Sequence, residues 1–85
     1  MNAVTMYSKV TCPFCVHAEQ LLQRKGVANL VKINIEQDPV ELQTMIMRTG
    51  RRTVPQIFVG ETHVGGFDDL ATLERAGKLD SLLNN

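Results

Sequence analysis

Cys12-Pro13-Phe14-Cys15 sets two thiols two residues apart, after an apolar segment and at the start of a stretch with helical spacing. Wound into the first turn of a helix, this spacing brings the sulfurs close enough to form a disulfide with little backbone movement. The pair can therefore open and close reversibly. A thiolate at a helix N-terminus faces unpaired backbone N–H groups and the positive end of the helix dipole, which favour the charged form. Cys12, the outer residue, is thus expected to be the nucleophile and Cys15, deeper in the helix, the resolving thiol. Pro13 suits the first helical position, where its fixed φ is already helical and its missing N–H costs nothing. Lys9, three residues before Cys12, is placed to favour the thiolate further.

Two other readings of the cysteines fare worse. Cys12, Cys15 and His17 are ordinary zinc ligands, but a closed structural site needs four, no second cysteine pair exists, and His63 is remote in sequence. No metal is expected. A purely structural disulfide across so short a loop would constrain the unfolded chain only weakly. A Cys-x-x-Cys beside a βαβ pattern instead signals redox chemistry.

The elements that must position the pair follow from patterning. Val4 to Ser8 reads as a strand, and Thr11-Cys12-Pro13 as a helix start. Phe14, Ala18, Leu21 and Leu22 recur at helical spacing until Gly26 supplies a stop. Leu30 to Ile35 is the next strand, with Val31, Ile33 and Ile35 on its apolar face. Asp38-Pro39-Val40-Glu41 has the order of an N-cap, a first-turn proline and an acid able to complete a capping box. The second helix runs to about Thr49 with Leu42, Met45 and Ile46 as its stripe; Met45 and Met47 read as core filler, and Gly50 ends it. Gln56 to Val59 and Thr62 to Val64 flank Gly60-Glu61, a connection suited to a type II′ hairpin. Asp68 or Asp69 can cap a third helix carrying Leu70 and Leu73, with a final turn through Leu79, Leu82 and Leu83. The expected fold is α/β, in the order β-α-β-α-β-β-α, with a mixed four-stranded sheet between helices.

At 85 residues the chain is expected to be a single domain, residues 1–85, with a modest core. Nine Lys and Arg balance nine Asp and Glu, which gives no electrostatic case for nucleic acid or an anionic membrane. Met1 to Lys9 lacks a signal-peptide pattern, and no apolar run approaches the ~18 residues of a membrane span, so a cytoplasmic location is expected. A reducing cytosol again points the cysteines toward transient chemistry.

Three motifs stand in order at the expected junctions: Cys-Pro-Phe-Cys after the first strand, Thr53-Val54-Pro55-Gln56-Ile57-Phe58 into the third, and Gly65-Gly66-Phe67-Asp68-Asp69-Leu70 after the fourth. Together they resemble the dithiol glutaredoxins of the short bacterial single-domain class, across essentially the whole chain. The usual active site of that family has tyrosine where Phe14 stands, so a hydroxyl is missing while the ring remains.

The resemblance implies a thioredoxin-like fold and a glutathione groove formed by Lys9, Cys12, Phe14, Thr53, Val54, Pro55, Gly66, Phe67 and Asp68. Pro55 would be the family's cis-proline, letting the Val54 backbone present N–H and C=O to a ligand beside Cys12. Gly65-Gly66 would allow the Phe67 N–H and the cap region of Asp68 to hold the γ-glutamyl end, with Asp68 accepting its α-ammonium and Phe67 covering the ligand. Lys9, with one of Arg48, Arg51 and Arg52, would meet the glycyl carboxylate. The implied activity is glutathione-dependent reduction of protein–glutathione mixed disulfides and protein disulfides by a cytoplasmic monomer. Ribonucleotide reductase is one family substrate. Two alternatives stay open: a glutaredoxin-like thioredoxin reduced by thioredoxin reductase, and a glutathione-ligated [2Fe–2S] protein, against which Pro13 argues. Tyr7, His17 and His63 read as packing or surface residues.

Overall fold

Strand β1 (Val4–Ser8) buries four of its five side chains, so it needs a strand on each side and helices above and below. The computed structural model, which describes residues 1–85, supplies both. The sheet runs β2-β1-β3-β4, with β2 (Val31–Asn34) parallel to β1, and β3 (Gln56–Val59) and β4 (Thr62–Gly65) antiparallel to their neighbours. Helix α1 (Pro13–Arg24) crosses from β1 to β2, α2 (Pro39–Thr49) from β2 to β3, and α3 (Phe67–Arg75) and α4 (Leu79–Asn84) follow β4.

Strand alternation divides the core in two. Val4, Met6, Ile57 and Val59 face α1, α3 and α4, packing with Ala18, Leu22, Leu70, Leu79 and Leu83 in a cluster of 12 buried residues. Tyr7 and Phe58 point to the other face, where Ile35 and Met45 complete a cluster of only 4. Most of the apolar burial therefore lies on the side that carries the cysteine helix.

The expected sheet and helix order hold, with local departures. The anticipated final turn is the helix α4: Leu79 and Leu83, one turn apart, are fully buried, and Asn2 donates to the carbonyls of Leu83 (2.7 Å) and Leu82 (2.9 Å). Strand β2 is one residue shorter at each end than expected, and Val31 is 51% exposed because an edge strand has a neighbour on one side only. Met47 is not core filler. Two residues beyond Met45 it lies about 200° around α2 and is 85% exposed. Asp38 caps α2 through the N–H groups of Val40 and Glu41, but Glu41 does not close the reciprocal half of the box.

Gly60 has φ 56° and Glu61 does not, as a type II′ hairpin requires. The register slips between Phe58↔His63 and Ile57↔Gly65, leaving Val64 unpaired as a β-bulge that advances the Gly65-Gly66 turn by one residue. No helix is long and apolar enough to cross a membrane.

Candidate active site

Helix α1 starts on its own chemistry. Cys12 is the N-cap, in extended geometry (φ −138°, ψ 100°), and its sulfur accepts the Cys15 N–H at 3.1 Å while Pro13 takes the first helical position. Cys12 and Cys15 are joined as a disulfide with their Cα atoms 5.2 Å apart. Cys15 is buried in the larger core cluster, and Cys12 is only half-buried. The outer and inner positions expected from the spacing are thus realised.

The Val54–Pro55 peptide is cis, and the Val54 carbonyl oxygen stands 3.9 Å from the Cys12 sulfur. From there a groove of about 230 Å³ runs between Phe14 of α1, the Thr53-Val54-Pro55 loop, and Gly66, Phe67 and Asp68 at the start of α3; Arg51, Gln56 and Asp69 complete its walls. Aromatic rings form one rim. Phe14 stacks on Phe67 with centroids 6.1 Å apart, and His17 stands edge-on to both.

At the far end Asp69, one of the two residues expected to cap α3, does so, but from the third helical position rather than from the N-cap. Gly66 is the N-cap, and with no side chain of its own it is served from inside the helix: Asp69, at the third position, accepts the Gly66 N–H at 2.9 Å. Arg51 pairs with the same carboxylate at 3.2 Å. The Gly66 N–H first, and the Arg51 guanidinium second, hold the Asp69 carboxyl below the usual carboxylate range. Gly65 has φ 116°, and a Cβ there would run into that carboxyl, so glycine is required by the cap itself. Asp68 is exposed at the groove, and its carboxylate has no protein partner.

The three arginines take separate places. Arg48 donates to the Tyr7 hydroxyl (3.0 Å) and lies 3.8 Å from the Phe58 ring centre, Arg51 holds Asp69, and Arg52 shares a neighbouring hollow with Lys9 and Glu36. Lys9 is exposed and does not line the groove; its second hollow borders Cys15, Val16 and Glu19. Of the other expected positions, Phe14, Thr53, Val54, Pro55, Gly66, Phe67 and Asp68 line the groove together, and Cys12 borders it through Val54.

Sequence reasoning passed over His17, Gln56 and His63. Gln56 is 1% exposed, and its amide donates to the Thr53 carbonyl (3.0 Å) and hydroxyl (3.3 Å) while its oxygen meets His63 Nε2 at 2.8 Å. A polar residue in an otherwise apolar strand was the available signal, since a buried amide must be paired. Burial, then Arg51 and Arg48 against the opposing pull of Asp69, holds the His63 pKa below the ordinary histidine value.

A glutaredoxin family profile matches residues 4–64. The chain is 51% identical to the glutaredoxin of Pseudomonas aeruginosa and 48% identical to that of Neisseria meningitidis, each over 84 residues spanning 99% of both chains. The solved buckwheat glutaredoxin–glutathione complex superposes with a TM-score of 0.88 at 31% identity, over 98% of this chain and 77% of that one. Sheet order, flanking helices and these relatives agree on a thioredoxin-like fold. With a disulfide-capable pair at a helix start and family likeness from end to end, the chain belongs to the glutaredoxins and is a thiol-disulfide oxidoreductase.

Proposed function

We propose that this glutaredoxin uses glutathione as its electron donor, reduces protein–glutathione mixed disulfides and protein disulfides, and acts as a single-domain monomer in the cytoplasm. One observation carries the reading: the half-buried Cys12 sulfur borders a groove that ends at an unpartnered carboxylate, Asp68. A γ-glutamyl ligand with its sulfur at Cys12 brings an α-ammonium for that carboxylate and a backbone for the polar groups of Val54 and Phe67. Of the relatives, the buckwheat protein has been solved with glutathione.

In the monothiol route the Cys12 thiolate attacks the glutathione sulfur of a mixed disulfide and expels the protein thiolate, which takes up a proton. A second glutathione, as thiolate, then attacks the glutathionylated Cys12, giving oxidised glutathione and free Cys12. In the dithiol route Cys12 attacks a protein disulfide, and Cys15 displaces the substrate thiol to leave the Cys12–Cys15 bond. Two glutathiones reduce that bond, and NADPH supplies the electrons through glutathione reductase. The helix start stabilises Cys12 as attacking and as leaving thiolate. Lys9 and Arg52, which share one hollow, would meet the glycyl carboxylate, since Arg48 is held at Tyr7 and Arg51, on the groove wall, is already paired with Asp69.

The deciding experiment couples NADPH oxidation to a small glutathione mixed disulfide through glutathione and glutathione reductase. Saturable turnover is expected. Turnover with thioredoxin reductase but none with glutathione would replace this reading with the thioredoxin-like one.

A further inference from the structure

In the relay from His63 through Gln56 to Thr53, Thr53 and Gln56 line the groove while His63 stands outside it, and the proposed chemistry makes no use of His63. The relay's polarity can be worked out. The Thr53 carbonyl only accepts, so the Gln56 atom 3.0 Å away must be the amide nitrogen; the reversed amide would set two acceptors against each other. The Gln56 oxygen therefore faces His63 Nε2 at 2.8 Å, and that nitrogen must carry a hydrogen. His63 is thus a donor in both its neutral and its charged form. Its ring is fixed by packing against Phe58, with centroids 5.0 Å apart, across the β3–β4 ladder. The groups facing it are Arg48 beside Phe58, and Arg51 and Asp69 at the start of α3.

We propose that His63 is a positioning residue of the active site: by donating Nε2–H to buried Gln56 it orients the amide that pins Thr53, and so sets the backbone of the Thr53-Val54 segment beside Cys12. Without that donor the Gln56 oxygen is left buried and unpaired, and the amide turns to find water and gives up the Thr53 carbonyl. The segment then occupies several arrangements, of which one suits the ligand. Chemistry at sulfur is untouched, because His63 contacts neither cysteine.

The consequence for turnover rests on the glutathione reading above, so the test has a readout free of it. His63→Phe keeps a ring on Phe58 and removes the donor; His63→Gln restores an N–H at the Nε2 position. In the mixed-disulfide assay His63→Phe should raise KM about five-fold, the worth of one neutral hydrogen bond, with kcat unchanged, and His63→Gln should return KM to near wild type. In ¹H–¹⁵N spectra the Thr53 and Val54 amide signals should shift or broaden in His63→Phe and recover in His63→Gln. Unchanged KM and unchanged signals in His63→Phe, or a His63→Gln as impaired as His63→Phe, would overturn the proposal. So would a lowered melting temperature with KM intact, which makes His63 structural. Wild-type inactivity on the mixed disulfide would sink the glutathione reading alone, leaving the amide signals to decide this one.

Discussion

Two helix starts face one groove, and they are capped by different kinds of atom. At α1 the cap is the Cys12 sulfur, which accepts the Cys15 N–H and is itself able to change bonding partner and charge. At α3 the cap is the Asp69 carboxylate, reaching back to Gly66 and held by Arg51. Both exploit the same unpaired N–H groups and the same dipole. A reactive cap makes its helix start a place for covalent chemistry. A fixed cap makes the other a rigid frame, next to which Asp68 is left exposed and unpaired at the groove, where the proposed ligand's ammonium would meet it.

The largest expected effect tests the reactive cap. Cys12→Ser should lose turnover of glutathione mixed disulfides to background, while Cys15→Ser should keep it, because external glutathione resolves the intermediate. Equal loss in both would show that the two sulfurs are not divided as attacker and resolver.

Next comes the order of alkylation in the reduced protein. Iodoacetamide at neutral pH should label Cys12 well before Cys15, since only Cys12 combines exposure with the helix start. Mass mapping reads the order, and Cys15 labelling first would reverse the roles.

Recognition at the second start should be milder. Asp68→Asn is expected to raise KM for glutathionylated substrates about five-fold, the scale of one exposed ion pair, and to leave reduction of ordinary disulfides nearly unchanged. Measured side by side, equal loss for both substrate classes would take Asp68 out of the ligand site.

The smallest effect distinguishes Asp69 from its neighbour. Its folded pKa is depressed, so its charge contributes stability in full above the unfolded carboxyl value of 3.8, and that contribution is lost as pH falls through the lower folded value. The melting temperature of wild type should exceed that of Asp69→Asn by a constant margin near neutral pH, and the two should converge below about pH 4. A margin unchanged down to about pH 2 would assign the cap's worth to shape rather than charge.

What could be read from the sequence was what depends on neighbours along the chain. Cys12-Pro13, Asp38-Pro39 and Gly60-Glu61 announce helix starts and a hairpin through local backbone preference, and each lies where expected. The groove residues were legible through motif likeness, because three short segments had to converge. Spatial pairing was not legible. Nothing in one dimension says that Arg51 reaches Asp69, that Arg48 leaves the site for Tyr7 and Phe58, or that Lys9 borders a different hollow. Met47 misled because an apolar residue beside a helix stripe looks like part of it until the helix has a neighbour.

The hydrogen bonds from Asn2 to Leu82 and Leu83 make the polypeptide nearly a ring with one gap. The N-terminal side of that gap lies near Gly26 and Val27, at the far end of a 12-residue helix from Cys12, roughly 18 Å away along its axis. A fusion partner at the N-terminus therefore leaves from the end of α1 opposite the thiol. Closing the gap with a short flexible bridge and opening the exposed Ala28-Asn29 turn instead would move β1 and α1 to the end of a permuted chain. The central strand and both cysteines would then be synthesised last, onto a sheet that lacks its middle until they arrive.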